Sequence, residues 1–264
     1  MRVVHITDPH FDHLSERYVA EFAKRVASDC RSYGAPQVVI TGDIASASSL
    51  DRLLSLFCQA LGDVPVGFAL GNHDIWGSSF AWVRRTAAGI ECARYLPDGG
   101  PLLLDDRTAL VGVDGWYDMR AGSGAKSRVL MNDWYRIDDF RPLSHAKRIE
   151  ACRALADASA VDAVSALDEA VRLGVSRIVL ATHVPPFTAA SWHEGAMGDR
   201  EHLPLYTNLA LGEAVLGWVA RHDVEVTVLC GHTHTARDVK IAPGLRCVAG
   251  RAEYGEAYAS VVEV

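Results

Sequence analysis

No run of about eighteen apolar residues occurs anywhere in the chain, so no segment reads as a transmembrane helix. Basic charge is also short: 26 Lys and Arg stand against 33 Asp and Glu, a net charge of -7. A protein of that charge has no long-range attraction for nucleic acid or an anionic membrane, and any phosphate it handles must be attracted locally, for instance by metal. Cysteine is sparse, with Cys30, Cys58, Cys92, Cys152, Cys230 and Cys247 never falling into a CxxC spacing. That excludes the usual structural zinc and thioredoxin patterns. Their mostly apolar neighbours mark them as small buried hydrophobes. Met1-Arg2 runs straight into an apolar stretch with no signal-peptide pattern, which makes the cytoplasm the expected compartment. There is no internal repeat, linker or low-complexity tract.

What is present suits a globular α/β protein. Of 264 residues 49% are hydrophobic and 22% charged, enough for a large core, and residues 1–264 are expected to form one domain. The runs Val3 to Ile6, Gln37 to Ile40, Val64 to Leu70 and Ser176 to Ala181 are apolar at nearly every position, as strands covered on both faces are. Glu225 to Cys230 reads as a further strand. Ser15 to Tyr33 carries Val19, Phe22, Val26, Cys30 and Tyr33 at helical spacing and stops at Gly34, and Leu50 to Leu61 is a second amphipathic helix. Strand, helix, strand, helix, strand implies parallel pairing, with a ligand site at the carboxyl ends of the strands. Helices are also expected over Ser79 to Ala88, Ile149 to Leu173 and Asn208 to His222, and short strands over 101–104, 109–113, 239–241, 245–248 and 257–264.

The strand ends carry the chemistry. Val3 to Ile6 delivers Asp8 and His10, two apart and able to point to one side of an extended segment. Asp12 and His13 next to them serve either as partners of those side chains or as a polar approach to the helix. The second strand ends in Gly42-Asp43, and a carboxylate with two oxygens can link two cations. The third ends in Gly71-Asn72-His73-Asp74, where the glycine lets the chain turn and three polar side chains crowd the strand end, Asp74 being able to orient the His73 imidazole. His183 precedes two prolines, and His232-Thr233-His234 puts two imidazoles on one side of its segment. Any one of these could be a turn or a surface residue; five apolar runs ending in hard or borderline ligands could not all be. Between them, 114–143 is rich in glycine, aromatics and cations, and is expected to form a lid beside the site, the alternative being an excursion packed by its own tryptophans. A second long loop, 187–204, could form the opposite wall.

In order, Asp8-x-His10, Gly42-Asp43, Gly71-Asn72-His73-Asp74, His183 and Gly231-His232-x-His234 resemble the motif series of the calcineurin-like metallophosphoesterase superfamily, and none of its motifs is missing. The resemblance implies a four-layered α/β/β/α sandwich in which two mixed sheets are flanked by helices. It implies two metal ions, manganese, iron or zinc, one held by Asp8, His10, Asp43 and His234 and the other by Asp43, Asn72, His183 and His232. A hydroxide between them would attack phosphorus in line. His73, not a ligand in that family, would stabilise the transition state or protonate the leaving oxygen, with Asp74 orienting it. Protein Ser/Thr phosphatases of the superfamily continue Gly-Asp with Asp-Arg-Gly and carry Gly-Asn-His-Glu, whereas Asp43 runs into Ile44-Ala45-Ser46 and the tetrapeptide ends in Asp74. The style is nearer the class III cyclic nucleotide phosphodiesterases, so the expected activity is phosphodiester hydrolysis on a small molecule, cyclic nucleotides included. The alternatives are a phosphomonoesterase, a nucleotide pyrophosphatase and a non-catalytic metal-binding scaffold.

Overall fold

The computed structural model describes all residues from Met1 to Val264. Thirteen strands and eight helices follow one another as β1 (Arg2–Ile6), α1 (Glu16–Tyr33), β2 (Val38–Thr41), α2 (Leu50–Leu61), β3 (Val66–Ala69), α3 (Phe80–Ala88), β4 (Arg94–Tyr95), α4 (Leu96–Gly99), β5 (Leu102–Asp105), β6 (Thr108–Gly112), α5 (Asp133–Arg136), α6 (His145–Arg172), β7 (Arg177–Ala181), β8 (Trp192–His193), β9 (Ala196–Met197), α7 (Leu203–Tyr206), α8 (Leu209–Val219), β10 (Glu225–Cys230), β11 (Arg237–Ala242), β12 (Leu245–Ala249) and β13 (Ala259–Glu263). No helix is long and apolar enough to cross a membrane.

The strands form two large sheets, in the orders β13-β1-β2-β3-β4 and β11-β12-β10-β7-β6-β5. Their central strands are parallel, and β13, β5 and β11 add antiparallel edges. Successive side chains of a strand point to opposite faces, so the unbroken apolar runs divide between two cores. Val4, Ile6, Val38, Ile40, Val66 and Phe68 meet α1 and α2 on one outer face. Ile178, Leu180, Val226 and Val228 meet α6 and α8 on the other. The alternate residues Val3, Val39, Val179, Leu229 and Val248 pack sheet against sheet. The result is the expected four-layered α/β/β/α sandwich with mixed sheets.

Most boundaries fall where periodicity and caps put them. Ser15 accepts from the Tyr18 amide to open α1, and Gly34, at φ 61, closes it. Helix α6 starts at His145, four residues before the expected Ile149, because Ser144 caps a polar first turn that has no apolar periodicity to announce it. Stretch 114–143 buries Trp116, Tyr117, Met119, Trp134, Ile137 and Phe140 in the same core as α1 and α2. Only its short segment Leu130 to Asn132 reaches the cleft described below. Cys92 alone among the cysteines is exposed, and none forms a disulfide.

Candidate metal centre

Strands β1, β2, β3, β7 and β10 end at one edge of the sandwich, and hydrogen bonds outside the ladders fasten their exits together. The amides of Asp8 and His10 donate to Gly42 and Asp43 carbonyls, both at 3.0 Å, and Gly231 N donates to His183 O at 2.8 Å. Asp8, His10, Asp43, His232 and His234 all adopt positive φ, between 41° and 69°. A non-glycine residue held there costs about 1–3 kcal/mol, and five in one site mark a backbone shaped for its side chains rather than for stability. Gly71 is required for another reason: a Cβ at this position would run into the Asp43 carboxylate.

Donor atoms of the expected residues converge. Asp8, His10 and His234 form one cluster and Asp8, Asp43 and His183 another, each with its atoms within 4.8 Å of one another. His234 Nε2 lies 3.3 Å from Asp8 Oδ1 and 3.4 Å from His10 Nε2. Asp43 turns one oxygen to each side, Oδ2 at 3.9 Å from His10 Nε2 and Oδ1 at 3.4 Å from His183 Nε2. Asn72 Oδ1 sits 3.0 Å from both His183 Nε2 and His232 Nδ1.

The tautomers decide what this arrangement can hold. His183 Nδ1 donates to the Thr41 carbonyl and His232 Nε2 to the Leu205 carbonyl, both at 2.8 Å, so the nitrogen left facing Asn72 carries a lone pair in each ring. Burial keeps both rings neutral, pushing His183 down and His232 to about 3. Two imidazole lone pairs and an amide oxygen therefore meet with no hydrogen between them, and Asp43 Oδ1, which accepts from the His73 amide at 2.8 Å, lies 3.4 Å from His183 Nε2 beside them. A cation satisfies that set; a proton network does not. The nitrogen and oxygen donors, without thiolate, fit manganese, iron or zinc.

The charges agree. Asp8 is held well below the usual carboxylate range by His234, His183 and His10, against the upward push of its burial. Burial, Asp8 and Asp74 raise Asp43. Burial lowers His10 to about 4 despite Asp8. A histidine depressed on folding is neutral in the native state but protonates in the unfolded chain below its ordinary value of 6.5. Its stability contribution is intact above pH 6.5 and is lost as pH falls towards the depressed value. We expect chelated protein to lose about 2 kcal/mol for each of His10 and His232 between pH 7 and pH 5, and metal-loaded protein to lose at least as much, because a bound ion keeps these rings unprotonated in the folded state. Urea midpoints at the two pH values, with and without metal, measure this.

His73 and Asp74 depart from expectation in their contacts. The His73 ring stacks on Trp76 at 3.4 Å between centroids, and its Nε2 lies 3.8 Å from Asp43 Oδ2, in a cluster with His10. Asp74 does not touch that ring. The tight turn His73–Ile75 aims it inward, where its oxygens accept from the amides of Ile44, Ala45 and Gly71 at 2.7–2.9 Å. Asp74 thus braces the exits of β2 and β3 against each other, and Trp76 supports His73. Asp12 accepts from the Ser46 amide, and His13 lies beside Tyr254.

The centre floors a cleft of about 240 Å³ walled by Trp76, Leu130, Met131, His193, Tyr206 and Tyr254. None of its twelve lining residues is lysine or arginine. A wider opening of about 610 Å³ between the free edges of the two sheets is lined by none of the clustered donors. Sequence reasoning passed over Trp76, Tyr254 and the buried Asp133, which accepts from Asn72 Nδ2 at 2.9 Å. No strand end or motif spacing marks them.

No curated protein matches the chain by sequence. Among solved structures it is similar to a dimetal phosphatase from Danio rerio, LOC 393393, at 15% identity and TM-score 0.58, covering 94% of this chain and 86% of that one. It is also similar to TT1561 of Thermus thermophilus, at 13% identity and TM-score 0.53, covering 95% and 89%. At such identities the likeness is one of fold. The family model for calcineurin-like phosphoesterases matches residues 1–236, nearly the whole chain and every donor described above, and the protein belongs to the calcineurin-like phosphoesterase family.

Proposed function

We propose that the protein is a dinuclear metal-dependent phosphodiesterase acting on a small molecule. Asp8, His10, Asp43 and His234 hold one ion, and Asp43, Asn72, His183 and His232 the other, with Asp43 shared. The observation that carries the metal reading is the meeting of lone pairs around Asn72 Oδ1, which hydrogen bonding leaves unsatisfied. When bound, the ions supply an activated water and neutralise charge on the phosphate.

The chain's own side chains position the ester. His73 stands at the cleft, 14% exposed, with Nε2 free of any carboxylate closer than Asp43. Its imidazolium is pushed down to about 2 by burial and by His10, so the neutral ring is the resident form. That ring donates an N–H to a phosphate or leaving oxygen as negative charge develops there. Leu130 and Met131 line one side of the cleft, and Trp76, Tyr206 and Tyr254 offer flat faces to a substrate's organic part.

The absence of lysine and arginine from the lining favours a diester. A diester carries one negative charge, which the metal centre meets, whereas a monoester dianion carries nearly two and is commonly clamped by arginine or lysine. A cleft of about 240 Å³ on an acidic protein also suits a small molecule better than duplex DNA. The test compares an aryl phosphodiester with the monoester of the same alcohol on manganese-loaded protein. We expect kcat/KM at least about tenfold higher for the diester, a difference of about 1.4 kcal/mol in transition-state binding. A preference for the monoester overturns the diester assignment.

A further inference from the structure

Asp133 takes no part in the family motifs, yet it is completely buried behind the centre. One oxygen, Oδ1, accepts from Asn72 Nδ2 at 2.9 Å and from Trp76 Nε1 at 2.7 Å, and Oδ2 accepts from the Tyr117 hydroxyl at 3.1 Å. All three partners are neutral donors. A buried carboxylate among neutral donors is costly unless a positive charge lies nearby, and the nearest place for one is the other end of the Asn72 amide.

We propose that Asp133 is a positioning residue that fixes which end of the Asn72 amide faces the metal centre. The two ends of an asparagine amide are nearly the same size and opposite in function. With its nitrogen donating to Asp133, Asn72 must present its oxygen to the lone pairs of His183 and His232. Without Asp133, the metal-free protein gains by turning the amide round, because the NH2 group would then donate to those two lone pairs. A donor would occupy the place where a cation needs an acceptor, and binding there would first have to reverse the flip. The same Asp133 oxygen holds the indole on which His73 stacks, so one carboxylate sets both a ligand and the support of the His73 ring.

The inference rests on the two-metal reading but not on the diester one, and its test contains no substrate. Chelated protein is titrated with Mn²⁺ by calorimetry, as wild type, Asp133→Leu and Asp133→Asn, each also in an Asn72→Ala background. We expect Asp133→Leu to weaken one of the two equivalents about ten- to a hundredfold and to leave the other within about threefold. Asp133→Asn keeps an acceptor oxygen for Asn72 and should recover most of that loss. In the Asn72→Ala background Asp133→Leu should add less than about threefold, because the side chain it acts through is gone. If Asp133→Leu does not fold, Asp133→Ser carries the same expectation, its hydroxyl being too short to reach the amide. Equal weakening of both equivalents, no weakening, or a full effect persisting without Asn72 overturns the proposal. A protein that shows this pattern but hydrolyses no ester would sink the phosphodiesterase reading and leave the role of Asp133 standing.

Discussion

Asp43→Asn is expected to leave the protein folded and to lower hydrolysis at least about a hundredfold, with metal lost from both positions together. The two Asp43 oxygens face different donor sets, Oδ1 towards His183 and Oδ2 towards His10, so one substitution reaches both. An amide keeps one acceptor oxygen and presents a donor at the other position, where an N–H directed at a cation is repelled. His10→Ala should behave differently, emptying mainly the position built with Asp8 and His234. Elemental analysis of the two variants separates these outcomes. Two full equivalents retained in Asp43→Asn contradict a shared ligand.

His73→Ala should cost about a hundred- to a thousandfold in kcat while both metals stay bound, the range seen when a positioned hydrogen-bond donor is removed. Its ring is supported by Trp76 and lies at the cleft, so its loss leaves the clustered lone pairs of Asn72, His183 and His232 in place. The size of the loss should depend on the leaving group. A neutral imidazole donating its N–H helps most where the leaving oxygen is most basic, so an alkyl or nucleotide diester should suffer more than a nitrophenyl diester, whose anion leaves without help. An equal loss on both would place the interaction on the non-leaving phosphate oxygens. Loss of a metal from His73→Ala would make the residue a ligand, as its place in a cluster with His10 and Asp43 permits.

The buried parallel strands and the convergence of their ends were legible because both follow from local rules, whereas the four layers were expected only from the family resemblance. Unbroken apolar runs require cover on two faces, and Val3 and Val4 do go to different cores. Parallel strands joined by helices put their carboxyl ends together, so Asp8, Asp43, Asn72, His183 and His232 could be grouped before any distance was known. Contacts that depend on turn geometry or on distant chain were not legible. Adjacency suggested that Asp74 orients His73, but a tight turn separates neighbours as readily as it joins them, and Asp74 went to backbone amides instead. Asp133 lies 61 residues from Asn72 in a stretch whose aromatic content hid this buried carboxylate. Tyr254, beside His10 and His234, comes from a turn near the end of the chain that carries no periodic signal.

Stepwise reloading tests whether this donor set holds two metal ions and hydrolyses a phosphodiester with them. Chelated protein, shown by circular dichroism to be folded, receives Mn²⁺ in known increments while turnover of an aryl phosphodiester is followed. We expect no turnover without metal and a rate that reaches its maximum at two equivalents per chain. Folded protein holding two equivalents that turns over neither the diester nor its monoester, or a rate already maximal at one equivalent, would contradict it.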